Sequence, residues 1–70
     1  MNIYLMNEDG ESFCIKAETM KDALNICEES YLDDRKNEEP KNLLLNIENE
    51  KKYYYDEILQ SCTLVAELKN

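Results

Sequence analysis

Three cysteines, five tyrosines and sixteen acidic side chains carry whatever chemistry this 70-residue chain can do, for it has no histidine and a single glycine. Without histidine the commonest general base near neutral pH is missing, and so is the commonest zinc ligand. With Gly10 alone, no glycine-rich loop is present to cradle a phosphate. Ser12, Ser30 and Ser61 have no basic partner in any nucleophile motif. Glu28-Glu29 and Glu38-Glu39 are adjacent pairs, and neighbours on a helix diverge rather than face one another. The chain is therefore expected not to be an enzyme.

Cys14, Cys27 and Cys62 are separated by 13 and 35 residues, with no C-x-x-C pair. An odd number at such spacing is not a secreted disulfide framework, so reduced thiols are expected. Cys27 and Cys62 fall on apolar helical arcs, where cysteine behaves as a small buried hydrophobe. Cys14 falls on the outer face of a hairpin. Three thiolates completed by a carboxylate would make an acceptable zinc site, but convergence would require the hairpin to pack the other way round. The expectation is ordinary core cysteines and no cofactor, with zinc held by Cys14, Cys27 and Cys62 as the alternative.

The acids outnumber Lys plus Arg by 16 to 8, giving a net charge of -8. That sign disfavours direct contact with nucleic acid or with an anionic membrane surface. Six acids crowd between positions 28 and 39 (Glu28, Glu29, Asp33, Asp34, Glu38, Glu39) against Arg35 and Lys36. Such a run is ordinarily a solvated helix end and loop. It can also act as spaced carboxylates that resemble phosphates and occupy a basic groove. Tyr53, Tyr54 and Tyr55 are consecutive and cannot all point inward; Tyr53 lies outside the apolar arc and is an exposed-anchor candidate.

Seventy residues predict one small domain, near the lower limit for a self-sufficient core. The predicted class is α+β. Asn2–Met6 and Glu11–Ala17 are β-prone runs flanking Asp9-Gly10, a strong tight-turn signal, and form an N-terminal β-hairpin. Its core face is expected to be Ile3, Leu5, Phe13 and Ile15, leaving Tyr4, Met6 and Cys14 on the other. A central amphipathic helix follows over Thr19–Leu32, capped by Thr19, with Met20, Ala23, Leu24, Cys27 and Tyr31 as its buried stripe. The charged stretch from Asp33 to Asn42, interrupted by Pro40, reads as a loop. Leu43–Ile47 is a short third strand or the first turn of a helix, five residues being too few for periodicity to decide, and the turn-like Glu48–Lys51 that follows favours the strand. From Lys52 onward, Tyr54, Tyr55, Ile58, Leu59, Cys62, Val65 and Ala66 share one helical arc, which predicts a C-terminal helix. The rival is a strand over Ser61–Leu68, whose alternation Val65 breaks.

The segment Tyr54-Tyr55-Asp56-Glu57 followed by Thr63-Leu64-Val65-Ala66-Glu67-Leu68-Lys69-Asn70 resembles the acidic, tyrosine-containing C-terminal helix of a type II-A anti-CRISPR protein. It covers about a quarter of the chain; the hairpin-first order of the rest departs from that family. The resemblance implies Cas9 inhibition through an acidic contact surface. The expected function is thus a non-enzymatic phage or mobile-element inhibitor that binds a basic, nucleic-acid-processing host protein. Its partner-binding candidates are Glu28, Glu29, Asp33, Asp34, Glu38, Glu39 and Tyr53. The alternative is a small interaction module, structural or regulatory, forming a homodimer through Tyr4, Met6 and Cys14. No apolar run reaches the ~18 residues of a membrane span and Met1–Leu5 is no signal peptide, so the host cytosol is the expected compartment.

Overall fold

A computed structural model describes residues 1–69, with positions 40 and 42–45 described by their backbone alone. The order is β1 (Asn2–Glu8), β2 (Glu11–Ala17), α1 (Met20–Glu38), α2 (Pro40–Tyr53), a π-helical turn (Tyr54–Ile58) and β3 (Leu59–Glu67). The three strands form one antiparallel sheet in the order β2-β1-β3. The α+β class, the hairpin and the central helix are as predicted from the sequence.

Asp9 (φ 48°) and Gly10 (φ 83°) both take the left-handed conformation required of a two-residue hairpin turn that matches strand twist. Nothing lies within 4 Å of a side chain built at Gly10, so the constraint there is conformational. Gly10→Ala is expected to cost about 1–2 kcal/mol, the penalty of a Cβ in that region, measured as a lower urea midpoint at unchanged slope.

That turn also sets the register, and here the predicted hairpin faces need correction. Glu8 pairs with Glu11, so each even-numbered residue of β1 meets an odd-numbered residue of β2: Tyr4 faces Ile15 and Met6 faces Phe13. Side chains alternate strictly along a strand. Tyr4 and Met6 therefore join Phe13, Ile15 and Ala17 on the helix side, while Ile3 and Leu5 share the outer side with Cys14. The core consists of Tyr4, Met6, Ala17, Ala23, Cys27 and Tyr54, with Phe13, Ile15, Leu24, Tyr31, Ile58, Leu59 and Cys62 packed against it. Buried Tyr4 and Met6 cannot hold a homodimer.

Thr19 caps α1 by accepting from the Asp22 amide at 3.1 Å. Ala23 and Cys27 of the predicted stripe are buried, whereas Met20 is exposed. The helix does not stop at Leu32. Asp33 to Glu38, expected as loop, continue it for lack of any breaker. Arg35 and Lys36 favour the negative end of the helix, and Arg35 pairs with Glu38 (3.4 Å) and Glu39 (3.0 Å). Glu39, at φ -142° and ψ 70°, breaks the run because a residue preceding proline is driven out of the helical region. Pro40 then opens α2 at a first-turn position that needs no amide donor.

The predicted third strand at Leu43–Ile47 is instead part of α2, which carries a kink at Asn46 (φ -135°, ψ 32°). The C-terminal helix is not formed either. Chain from Leu59 takes the free side of β1 as β3, so the rival strand is the one present, and it removes the sheet position that Leu43–Ile47 would have needed. β3 is out of step with β1 twice. Asn7 faces Ser61 while Glu8 faces Leu59, and Tyr4 faces Leu64 while Ile3 faces Ala66. Gln60 and Val65 are the extra residues of two bulges, and Val65 is the position that breaks a simple alternation. Tyr54 to Glu57, expected within the C-terminal helix, thus lie in the π-helical turn and Thr63–Glu67 in β3; Asn70 lies outside the described residues. No helix among the described residues is long and apolar enough to cross a membrane.

Candidate functional site

The hairpin turn and the far half of α1 come together because the helix runs back along the sheet from Ala17 towards the turn. Between them lies a cleft of about 320 Å³ lined by Glu8, Asp9, Glu11, Tyr31, Asp34, Arg35, Glu38 and Ile58. Five of those eight side chains are carboxylates. An adjoining cleft of about 530 Å³ shares Tyr31, Arg35 and Ile58 and adds Asn49, Glu50 and Tyr53. The two make one continuous surface, acidic at the hairpin end and aromatic at the α2 end.

Tyrosines and ion pairs hold this surface in shape. Fully buried Tyr54 donates to Glu8 Oε2 at 2.5 Å, fixing the end of β1 to the π-helical turn. Its ring lies 5.1 Å from that of Tyr31 and 5.2 Å, edge-on, from that of Tyr55. Tyr31 donates to Glu50 Oε2 at 2.9 Å, and Glu50 also binds Arg35, so α1 and α2 are tied beside the cleft. The π-helical turn inserts one residue relative to an α-helix and turns Tyr54 inward while Tyr53 stays half exposed at 51%.

Burial, reinforced by hydrogen bonding to Glu50, pushes the Tyr31 phenol up to about 12. Burial and the bond to Glu28 push Tyr55 up to about 12 as well, and Tyr54 is raised further by burial and by Glu8. A phenol whose folded value exceeds its unfolded value contributes fully below about pH 10, and loses that contribution as pH rises through about 12. Absorbance at 295 nm should show these three phenols ionising late, together with loss of near-ultraviolet dichroism. Simple titration of all five tyrosines before any unfolding would contradict the packing.

Of the six predicted acids, the structure brings only Asp34 and Glu38 into the acidic cleft. Glu39 sits at the helix end against Arg35. Glu28 is turned to the other side of α1, accepting from Tyr55 Oη at 2.8 Å with Lys51 Nζ at 3.9 Å. Glu28 and Glu29 line a separate groove with Asn25, Leu32, Ile47 and Lys51. Asp33 is exposed, one turn from Glu29 on the helix. The six are not one strip, because a helix through positions 28–38 distributes them around its circumference. Tyr53 is exposed and lines the adjoining cleft.

No family model matches the chain, and comparison with curated proteins and with solved structures gives no match.

Residue-type reasoning missed Glu8, Asp9 and Glu11. The signal was present: a two-residue turn that contains Asp9 and is flanked by Glu8 and Glu11 makes an acidic tip, which a helix following β2 must approach. The cysteines stand apart from this surface. Cys27 is buried and Cys62 half-buried, both thiols raised by burial, with Glu8 adding to the shift at Cys27. Cys14 is exposed on the opposite face of the sheet. Among the described residues no three Cys, Asp or Glu side chains are grouped to hold a metal.

Proposed function

We propose that this chain is a non-enzymatic inhibitor acting in the cytosol, which binds a basic, nucleic-acid-processing protein through the acidic cleft between the hairpin turn and α1. The observation that carries this reading is the convergence of Glu8, Asp9, Glu11, Asp34 and Glu38, from three separate elements, on one surface. Carboxylates fixed on two strand ends, a tight turn and a helix are held at spacing, as phosphates are along a nucleic acid, with Glu38 alone of the five paired to Arg35 in the ion pairs described. Arg35 is the one cation lining the cleft, and it is engaged by Glu38, Glu39 and Glu50. Tyr53 on the adjoining cleft supplies an exposed aromatic of the kind that anchors protein interfaces. The absence of histidine and of any nucleophile motif fits a protein that acts by occupancy.

The partner to test first is a Cas9-type nuclease, whose guide and target duplex is held in a positively charged channel. Cleavage of target DNA by the guide-loaded nuclease should be lost as this protein approaches an equimolar ratio. Full cleavage at large excess, with no complex on a sizing column, would overturn the reading for that partner.

A further inference from the structure

Charged residues make up 34% of the chain, yet Ile58 to Ala66 contains none and is its longest uncharged run. The next longest, Met1 to Asn7, is mostly β1, whose composition is explained by its place at the centre of the sheet with a partner on either side. β3 is likewise uncharged from Leu59 to Ala66, with Glu67 its one charge at the far end, but it stands at the edge. The opposite edge strand, β2, carries Glu11 and Lys16, as protected edges do. Thr63 to Glu67 are all exposed, Leu64 and Val65 by 43% and 51%. One side of β3 therefore leaves its backbone amides and carbonyls to solvent along a strand with the make-up of an interior one.

We infer that β3 pairs with β3 of a second copy, antiparallel across a two-fold axis perpendicular to the sheet, giving a six-stranded sheet with the helices of both copies on one side. A second copy fits this edge better than a charged partner does. Each copy carries a net charge of -8, so two can approach only where acids are absent, and the middle of β3 is such a place. The bulges at Gln60 and Val65 frame a regular stretch, Ser61 to Leu64, where the ladder can form. The acidic cleft is built from the hairpin turn, α1 and the π-helical turn, so none of its acidic side chains is used. Pairing along one strand buries less than the ~1,200–2,000 Å² of a standard interface, so a weak, concentration-dependent dimer is expected.

Thr63 is exposed and lies on the two-fold or one pair from it, which makes it the position to test. Sedimentation equilibrium should show the natural protein passing from monomer to dimer with concentration. Thr63→Lys and Thr63→Glu should each shift that transition at least tenfold upward through like-charge repulsion, with unchanged circular dichroism. Their equimolar mixture should restore the dimer. Ser12→Lys, on the opposite edge, should leave it as it was. Amide exchange in β3 should slow as the natural protein dimerises. A monomer at millimolar concentration, a dimer indifferent to either Thr63 substitution, or a dimer with unchanged β3 exchange would each overturn the assignment.

Discussion

Tyr54→Ala is expected to leave the protein largely unfolded under conditions where the natural chain is folded. Tyr54 is fully buried, packs between the rings of Tyr31 and Tyr55, and donates to Glu8 from the turn that links α2 to β3. Truncating a large buried aromatic costs about 3–5 kcal/mol. A core of this size supplies only about 3–5 kcal/mol of net stability, so the two nearly cancel. Tyr54→Phe separates packing from polarity. It keeps the ring and removes the donor to a carboxylate, for an expected loss of about 1.5–3 kcal/mol. Urea unfolding followed by far-ultraviolet dichroism measures both. A native midpoint for Tyr54→Ala would show that the π-helical turn is not part of the core.

The second large effect concerns binding. Reversing Glu11, Asp34 and Glu38 to lysine is expected to slow association with a basic nuclease by about tenfold or more, since complementary fields raise encounter rates by roughly 10–10³. All three side chains are exposed, so the fold should survive, while Glu8 is left in place because Tyr54 depends on it. A control with Glu29, Asp33 and Glu57 reversed carries the same total change of charge away from the cleft. It should slow association much less. Equal slowing by both variants, read by stopped-flow fluorescence, would mean that net charge and not the cleft governs encounter.

The hairpin, its turn, the Thr19 cap and the burial of Ala23 and Cys27 were all legible in the sequence, because each follows from local rules of spacing and conformation. The hairpin faces were legible too, but only by counting outward from the turn: the apolar side chains of Ile3 and Leu5 suggest a core position that the register with Glu11 forbids. The C-terminal half could not be read locally. Leu59 to Glu67 have both a helical arc and a strand alternation, and the choice is made by the unpaired side of β1, more than fifty residues away in sequence. Val65 looked like an exception to alternation because a bulge changes the phase of the strand there. The acidic surface was half legible. Asp34, Glu38 and Tyr53 stand out by type and neighbourhood, but the hairpin acids become their companions only once α1 packs along the sheet.

The central claim, that an acidic cleft on the helix and hairpin binds a basic nucleic-acid-processing protein, is tested most directly by the salt dependence of that binding. Affinity for a Cas9-type nuclease should be high at low salt. It should fall steeply as ionic strength rises through the physiological range, where exposed charges are screened beyond about 8 Å. An affinity that is flat or rises with salt, or no binding even at low salt, would contradict it.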